Sequence, residues 1–305
     1  MIANHSDQQE VNYKHMILIL RIFRKLHLFN YLRLNVKIEY NHRHFKIPVC
    51  KGMGFENLIL SVDWLDELLQ IFQSNDSTTF IDVGVNQGQT LLKYKAANFN
   101  TKYIGFEPNP VCVDYVNKLI EKNSFTDCKV YNKALNDKDT HLKLLLEYNY
   151  DSRASIIENQ RPGFFKNSII VDAICYDEHF SNENIGIVKI DVEGAELEVI
   201  KGMQQSIAQY KPIIICEILD SHSEEVLEFT SSRAKSVFQL LQGLNYMAYK
   251  IKVSQNDNCI LELELQENIV VKLWSKESAF NNDYLFIPVE NSLLIQKLHD
   301  NFLIK

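Results

Sequence analysis

From residue 79 onward the chain alternates apolar runs with amphipathic stretches, and this alternation restricts the fold more than any other feature. The apolar runs contain few polar positions, which is typical of strands buried on both faces. Strands that alternate with helices in this way predict an α/β fold, with a doubly wound, mostly parallel sheet. The predicted strands are 79–84, 102–107, 129–135, 168–174, 185–191, 212–219, 246–251 and 284–289, and the helices are 88–97, 110–122, 194–208 and 224–242.

The segment before this region predicts a helical and strand extension over residues 1–75. Residues 11–34 are apolar with basic interruptions and no acidic residue, which predicts an amphipathic helix. Such a helix packs on its own domain or on a partner subunit, or it lies on an anionic membrane surface. The broad apolar face favours packing. Residues 35–60 alternate like short strands, and 61–74 have the pattern of a second helix.

The main domain is predicted to cover residues 76–290, with an insertion at 252–283. In the insertion, ILELEL alternates like a strand with one solvated face, and it could form a hairpin with NIVVKLW. Residues 291–305 predict a terminal helix.

Charge and cysteine content narrow the class of protein. The net charge of −7 argues against broad nucleic-acid binding, which needs clustered basic residues. The six cysteines have no C-x-x-C spacing, so we expect reduced thiols and a cytoplasmic protein. The apolar run MILIL at 16–20 is far too short to span a bilayer.

The first motif, FIDVGVNQGQ, follows the strand at residue 79. Asp82 precedes Gly84 and Gly88, while Asn86 stands where dinucleotide-binding folds have a second glycine. An acidic residue at this turn suits a cationic ligand better than a phosphate. The spacing D-x-G-x-x-x-G is that of class I methyltransferases, although a purely structural turn would also use these glycines.

The second motif, GFEPNP, places Glu107 at the end of the next strand. An acidic residue about 20 positions after the glycine turn accepts both ribose hydroxyls of an adenosine. Pro108 and Pro110 then stop the strand and turn the chain, and the following strand places Ala134 beside the expected adenine.

Together with NKALND, VKIDVEGAELEVIKG and KPIIICEI, these motifs resemble the FkbM family of S-adenosylmethionine-dependent methyltransferases over residues 79–219. The resemblance implies a seven-stranded Rossmann-like sheet, S-adenosyl-L-methionine as cofactor and O-methylation of a hydroxyl, often on sugars or natural-product scaffolds. FKIPVCKGMGFENLIL is also similar to the lead-in of members associated with surface-polysaccharide synthesis. The implied cofactor-binding residues are Asp82, Gly84, Asn86, Gly88, Glu107, Pro108, Asn109, Ala134 and Asp191.

Three further residues are candidates for catalysis. Asp191 and Glu217 end neighbouring strands, which lie about 4.8 Å apart in a parallel sheet, so one carboxylate could raise the pKa of the other. The pair could serve as a base, orient hydroxyls or hold a divalent cation; we expect no metal. His222, in the following loop, is a second candidate base or a solvated loop residue. Glu193 is a weaker candidate. Glu193 and Glu196 fall in the first turn of the following helix, where the helix dipole favours anions, and we expect Glu196 and Glu198 to stabilise the helix or to be solvated rather than catalytic.

The sequence therefore predicts an O-methyltransferase that acts on a hydroxyl of a sugar, a polysaccharide precursor or a natural-product-like molecule. Two alternatives stay open, a nicotinamide-dependent oxidoreductase and a non-catalytic scaffold of the same fold. The missing G-x-G-x-x-G argues against the first, and the intact polar residues at the strand ends argue against the second. A homo-oligomer is possible, and no transmembrane or nucleic-acid partner is expected.

Overall fold

The computed structural model describes residues 15–26, 28–72, 78–97, 101–276 and 278–305.

The N-terminal extension begins with helix α1 (15–25) and a hairpin of β1 (Arg33–Tyr40) and β2 (Arg43–Cys50), followed by α2 (Phe55–Leu58) and α3 (Trp64–Phe72). One face of α1, including Ile17 and Leu20, is buried against the hairpin, as expected for a helix that packs on its own protein. The opposite face exposes apolar side chains. The predicted helix ends early, because the chain turns into β1 by Arg33, and its residues 11–14 lie outside the described residues.

The remaining strands form two sheets. They are β3 (Thr79–Val83), β4 (Tyr103–Phe106), β5 (Cys128–Tyr131), β6 (Ala134–Asn136), β7 (Thr140–Leu146), β8 (Asn167–Cys175), β9 (Ile185–Ile190), β10 (Ile213–Glu217), β11 (Tyr246–Val253), β12 (Ile260–Gln266), β13 (Asp283–Pro288) and β14 (Leu303–Ile304).

The large sheet confirms the expected mostly parallel α/β fold, although it is mixed at one side. Within the described residues it has nine strands in the order β14-β12-β11-β13-β10-β9-β3-β4-β5. Strands β5, β4, β3, β9 and β10 are parallel, and β13 enters antiparallel between β10 and β11. These are the seven expected strands, and β12 and β14 extend the sheet beyond them. The winding reverses at β3, so the ends of β3 and its neighbours form a ligand-binding edge.

One predicted strand and the end of another belong to a separate sheet. The run 129–135 is divided between β5 and β6, and 168–174 falls in β8. Strands β6, β8 and β7 form a separate three-stranded sheet in the described part of the chain. Periodicity predicts that a segment is extended, but it does not select the partner strand.

Helices cover both faces of the large sheet, as predicted. They are α4 (Gln89–Ala96), α5 (Pro110–Asn123), α6 (Tyr176–Phe180), α7 (Glu196–Gly202), α8 (Gln204–Tyr210), α9 (Leu227–Gly243) and α10 (Ser292–Asn301). Helices α3, α4, α5 and α10 pack on one face, and α6 to α9 on the other. Short 3-10 turns occupy Phe29–Tyr31, Glu158–Gln160, Glu224–Val226 and Ser278–Asn281. No helix of the described residues has the length and apolarity needed to cross a membrane.

The predicted helix 194–208 is two helices, because the chain passes very close to β6 at Gly202. A Cβ at Gly202 would lie 2.0 Å from the carbonyl oxygen of Asn136, so glycine is required there. Gly202 thus ends α7, as predicted, and α8 begins at Gln204. The prediction that ILELEL in the insertion forms a hairpin with NIVVKLW is also wrong. Strand β12 pairs with β11 and not with NIVVKLW, which forms no strand of either sheet in the described residues.

Candidate functional site

A cavity of about 430 Å³ lies where the parallel strands β3, β4, β9 and β10 end. Side chains of the small sheet and of the extension complete its walls. Its volume falls within the range of small-molecule clefts. Of the predicted site residues, those that line it are Gly84, Asn86, Glu107, Pro108, Ala134, Asp191, Glu193 and Glu217.

Gly84 allows the ends of β3 and β9 to approach each other. Its φ of +92° is in the left-handed region, and a Cβ would lie 1.8 Å from the carbonyl oxygen of Asp191. Only glycine fits this position, since a side chain would separate the two strand ends that form the cavity floor. Asn86, with φ of 48°, continues the turn in a conformation that asparagine tolerates.

Glu107 presents a buried carboxylate to the cavity. Its two oxygens accept hydrogen bonds from the backbone N–H groups of Asn86 and Asn109, each at 2.8 Å. A carboxylate has about four acceptor positions, so each oxygen can accept a further hydrogen bond from a ligand hydroxyl. Burial raises the pKa of Glu107 to about 7, although the two backbone N–H donors oppose this rise.

Three predicted cofactor residues do not line the cavity. Asp82 is fully buried, accepts a hydrogen bond from the Tyr103 hydroxyl, and has one oxygen with no partner in the described residues. Burial raises the pKa of Asp82 to about 7. Gly88 starts α4, and Asn109 caps α5 by accepting from the Val111 N–H at 3.0 Å. All three shape the loops around the cavity; direct cofactor contacts from them stay a prediction.

Asp191 and Glu217 lie together at the other side of the cavity, as the neighbouring strands β9 and β10 require. Their side chains share a hydrogen bond, and carboxylate oxygens of Asp191, Glu193 and Glu217 all lie within 4.8 Å of one another. The ammonium of Lys189, which is buried, lies 3.1 Å from Asp191 Oδ2. This amine supplies the positive charge that a cluster of carboxylates needs.

Lys189 makes the two carboxyl groups of this pair different. Burial raises the pKa of Asp191, but the Lys189 ammonium and the hydrogen bond from Glu217 outweigh it and hold that pKa below its usual range. Burial and the Asp191 charge raise the pKa of Glu217 well above its usual range. The pKa of Glu217 therefore lies well above that of Asp191, so Glu217 is the member of the pair that keeps a proton more readily and Asp191 the member that ionises more readily.

Glu193 and His222 are joined by Arg161, a buried residue. Arg161 Nη2 donates to Glu193 Oε2 at 2.6 Å, and Arg161 Nε donates to His222 Nε2 at 2.6 Å. His222 does not line the cavity, and the ring nitrogen that a base would use already accepts a hydrogen bond. Burial, Arg161 and Arg153 lower the pKa of His222. Its catalytic role stays a prediction, and of the two candidate bases only Asp191 lines this cavity.

Glu196 and Glu198 behave as helix residues. Glu196 Oε1 accepts from the Gly194 N–H at 2.7 Å, at the start of α7. Glu198 accepts from Arg233 of α9. Neither residue lines the cavity, although Glu196 is buried and thus not solvated.

Sequence reasoning missed Lys189, Asp63 and Lys93. Asp63 and Lys93 line the cavity, and Lys93 Nζ contacts Asp63 Oδ1 at 3.0 Å and the buried Asp66 at 2.6 Å. The extension thus forms part of the cavity wall. A lysine within the apolar strand GIVKI signals a buried ion pair, but nothing local in the sequence joins residues 63 and 93.

Comparison with known proteins identifies the family. The sequence matches the Methyltransferase FkbM domain over residues 82–250, more than half of the chain. The chain belongs to the FkbM methyltransferase family. This confirms the resemblance to S-adenosylmethionine-dependent methyltransferases and favours that hypothesis over a nicotinamide-dependent oxidoreductase.

Individual relatives of this FkbM chain are distant. The methyltransferase sdnD of Sordaria araneosa is 25% identical over 160 residues, which cover 41% of this chain and 60% of that protein. The FkbM methyltransferase of Methylobacillus flagellatus superposes with a TM-score of 0.43 at 12% identity, over 89% of this chain and 52% of that one. An O-methyltransferase of Bacillus cereus, solved with S-adenosylhomocysteine, has a TM-score of 0.37 at 12% identity, over 73% and 77% of the two chains.

Proposed function

We propose that the protein is an S-adenosylmethionine-dependent O-methyltransferase whose acceptor is a hydroxyl of a sugar, a polysaccharide precursor or a natural-product-like molecule. The observation that supports this most is the arrangement of one cavity. A carboxylate with free acceptor positions, Glu107, lies at the β4 end, and an unequal carboxyl pair, Asp191 and Glu217, lies at the β9–β10 end.

The residues on the β4 side fit an adenosine. Glu107 would accept the two ribose hydroxyls, because each of its oxygens has one backbone donor and room for another. The adjoining wall is apolar and suits a flat, weakly polar ring; it consists of Phe106, Pro108, Ala134, Leu135, Leu144 and Ile156.

On the other side, the residues fit transfer to a hydroxyl. The bound cofactor supplies a methyl group already activated by its sulfonium. Asp191 would orient the acceptor hydroxyl in line with that methyl group and accept its proton as the oxygen–carbon bond forms. Glu217 would keep its own proton and donate a hydrogen bond to Asp191. Lys189 would hold Asp191 ionised before transfer and balance the local charge.

Calorimetry and methyl-transfer assays test this proposal directly. We expect S-adenosylmethionine and S-adenosylhomocysteine to bind, and NAD not to bind. With methyl-labelled cofactor and a panel of sugars, the label should appear in a product that resists mild alkali, since ethers resist it and methyl esters do not. If NAD bound and neither adenosyl ligand did, the proposal that S-adenosylmethionine is the cofactor would be wrong. If the label were found only in esters or amines, the proposal that the product is an O-methyl ether would be wrong.

A further inference from the structure

A second cavity lies beside the first and is connected to it through one side chain. This cavity has a volume of about 530 Å³ and is lined by residues of three loops, including Arg161, His222 and Trp274. Arg161 forms part of its wall and donates to Glu193, which lines the first cavity. A molecule that occupies both cavities would therefore contact both sides of the Arg161–Glu193 pair.

Aromatic rings form much of this second wall. Trp274 keeps 46% of its surface exposed, and its ring is nearly parallel to that of His222, with centroids 6.2 Å apart. Backbone hydrogen bonds from Ser221 to Lys272 and from Trp274 to Ser221, both 2.8 Å, hold the two loops together. The rings are thus placed by the fold, and an exposed indole face beside a cleft is available for stacking.

The charges of the wall are already compensated. Arg161 pairs with Glu193 at 2.6 Å, and Arg153 pairs with Glu147 at 2.6 Å. His222 accepts a hydrogen bond from Arg161, and burial and the two arginines lower its pKa, so it is neutral near pH 7. The carboxylate of Glu225 adds negative charge to the wall. Both arginines that line this cavity among the described residues are thus paired with a carboxylate, which weakens their attraction for a phosphate or carboxylate.

What remains is an aromatic face surrounded by hydrogen-bonding groups. The guanidinium groups keep N–H donors beyond those in the ion pairs, while Glu225 and Ser223 offer oxygens. A neutral ring with hydroxyls at its edge and C–H groups on its face matches both features.

We propose that this second cavity binds a neutral glycosyl ring of the acceptor, stacked on Trp274, next to the unit whose hydroxyl is methylated. The proposal deepens the function above and rests on it, since it makes the acceptor a glycoside or an oligosaccharide.

Tryptophan fluorescence can test the cavity without any change at Trp274. The chain has two tryptophans, Trp64 and Trp274, so Trp64→Phe leaves Trp274 as the single indole reporter. The full-length variant is titrated with neutral methyl glycosides and disaccharides, and separately with glucose 1-phosphate and glucuronate. We expect a saturable change in emission with neutral sugars and a weaker or absent change with the anionic ones.

Calorimetry with variants then locates the binding. Trp274→Ala should weaken binding of the neutral sugar about tenfold, as expected for loss of one aromatic contact, while S-adenosylhomocysteine binds as before. Phe280→Ala is the matched control, because Phe280 is similarly exposed in the same insertion but does not line the cavity.

Three results would overturn the glycosyl proposal: no emission change with any neutral sugar, binding of anionic sugars only, or equal sugar affinity in Trp274→Ala and the control. If the unmodified protein bound neither S-adenosylmethionine nor S-adenosylhomocysteine, the proposed function would be refuted instead. The sugar titration would still report whether the second cavity binds a neutral sugar.

Discussion

Replacing Asp191 by asparagine should reduce turnover far more than replacing Glu217 by glutamine. Burial and neighbouring carboxylates raise the pKa of Glu217, while Lys189 holds the pKa of Asp191 below its usual range, so Asp191 is the member that ionises first. Asp191→Asn removes the proton acceptor. General-base catalysis contributes about 10²–10⁴-fold, so kcat should fall by that factor, which corresponds to about 2.7–5.4 kcal/mol of transition-state stabilisation.

Glu217→Gln replaces a protonated carboxyl group with an amide of the same shape. The amide N–H can still donate to Asp191, so the hydrogen bond that stabilises the ionised carboxylate is kept. We therefore expect kcat of Glu217→Gln to stay within about threefold of the wild-type value. This unequal outcome follows from Lys189, which lowers the pKa of Asp191, and from burial and neighbouring carboxylates, which raise the pKa of Glu217.

The assay is single-turnover methyl transfer, with S-adenosylhomocysteine affinity and thermal melting as controls for folding. Equal losses in both variants would refute the unequal pair, and near-normal turnover in Asp191→Asn would remove Asp191 as the base. Wild-type activity that EDTA abolishes and Mg²⁺ restores would instead assign Asp191, Glu193 and Glu217 to a cation.

Three further predictions concern cofactor affinity and stability. Glu107→Ala should weaken S-adenosylmethionine binding by about 1.5–3 kcal/mol, as measured by calorimetry. Because burial raises the pKa of Glu107 to about 7, the affinity of the wild-type protein should fall as the pH drops below that value, and the variant should lose this pH dependence. The pKa of Asp82 is raised to about 7, so the folded protein holds this proton more tightly, and the stability falls as the pH rises from about 4 to about 7. Asp82→Asn should remove on the order of 4 kcal/mol of this fall, measured by urea unfolding at several pH values in that range. Lys93→Met should lower the unfolding free energy by about 3–5 kcal/mol, since it leaves the buried Asp66 carboxylate unpaired, whereas the exposed Lys122→Met should change it little.

Several parts of the site could be predicted from sequence because they depend on local pattern. Apolar runs give the strands, and the first polar residue after each run marks its carboxyl end. Since parallel strands end at one edge of a sheet, the sequence predicts that Glu107, Asp191 and Glu217 lie at one cleft. Gly84 was predictable as a turn residue, although the close approach of Asp191 that requires it was not.

Other parts depend on contacts between distant segments. The sequence shows Asp82 in a motif, but only packing shows that Tyr103 and the core enclose it. His222 looked free to act as a base until Arg161, 61 residues earlier in the chain, was found to donate to it.

By itself the sequence determined the α/β fold and the edge of the sheet where the cavity lies, because periodicity and glycine spacing are properties of neighbouring residues; its motifs carried the resemblance to the family. Only the tertiary structure decided which of Asp191 and Glu217 has the higher pKa. That difference depends on the 3.1 Å between Lys189 and Asp191 and on the other carboxylates nearby, which come together only when the chain folds. It also decided that the extension helps to form the cavity, since Asp63 and Lys93 meet only after the chain has folded.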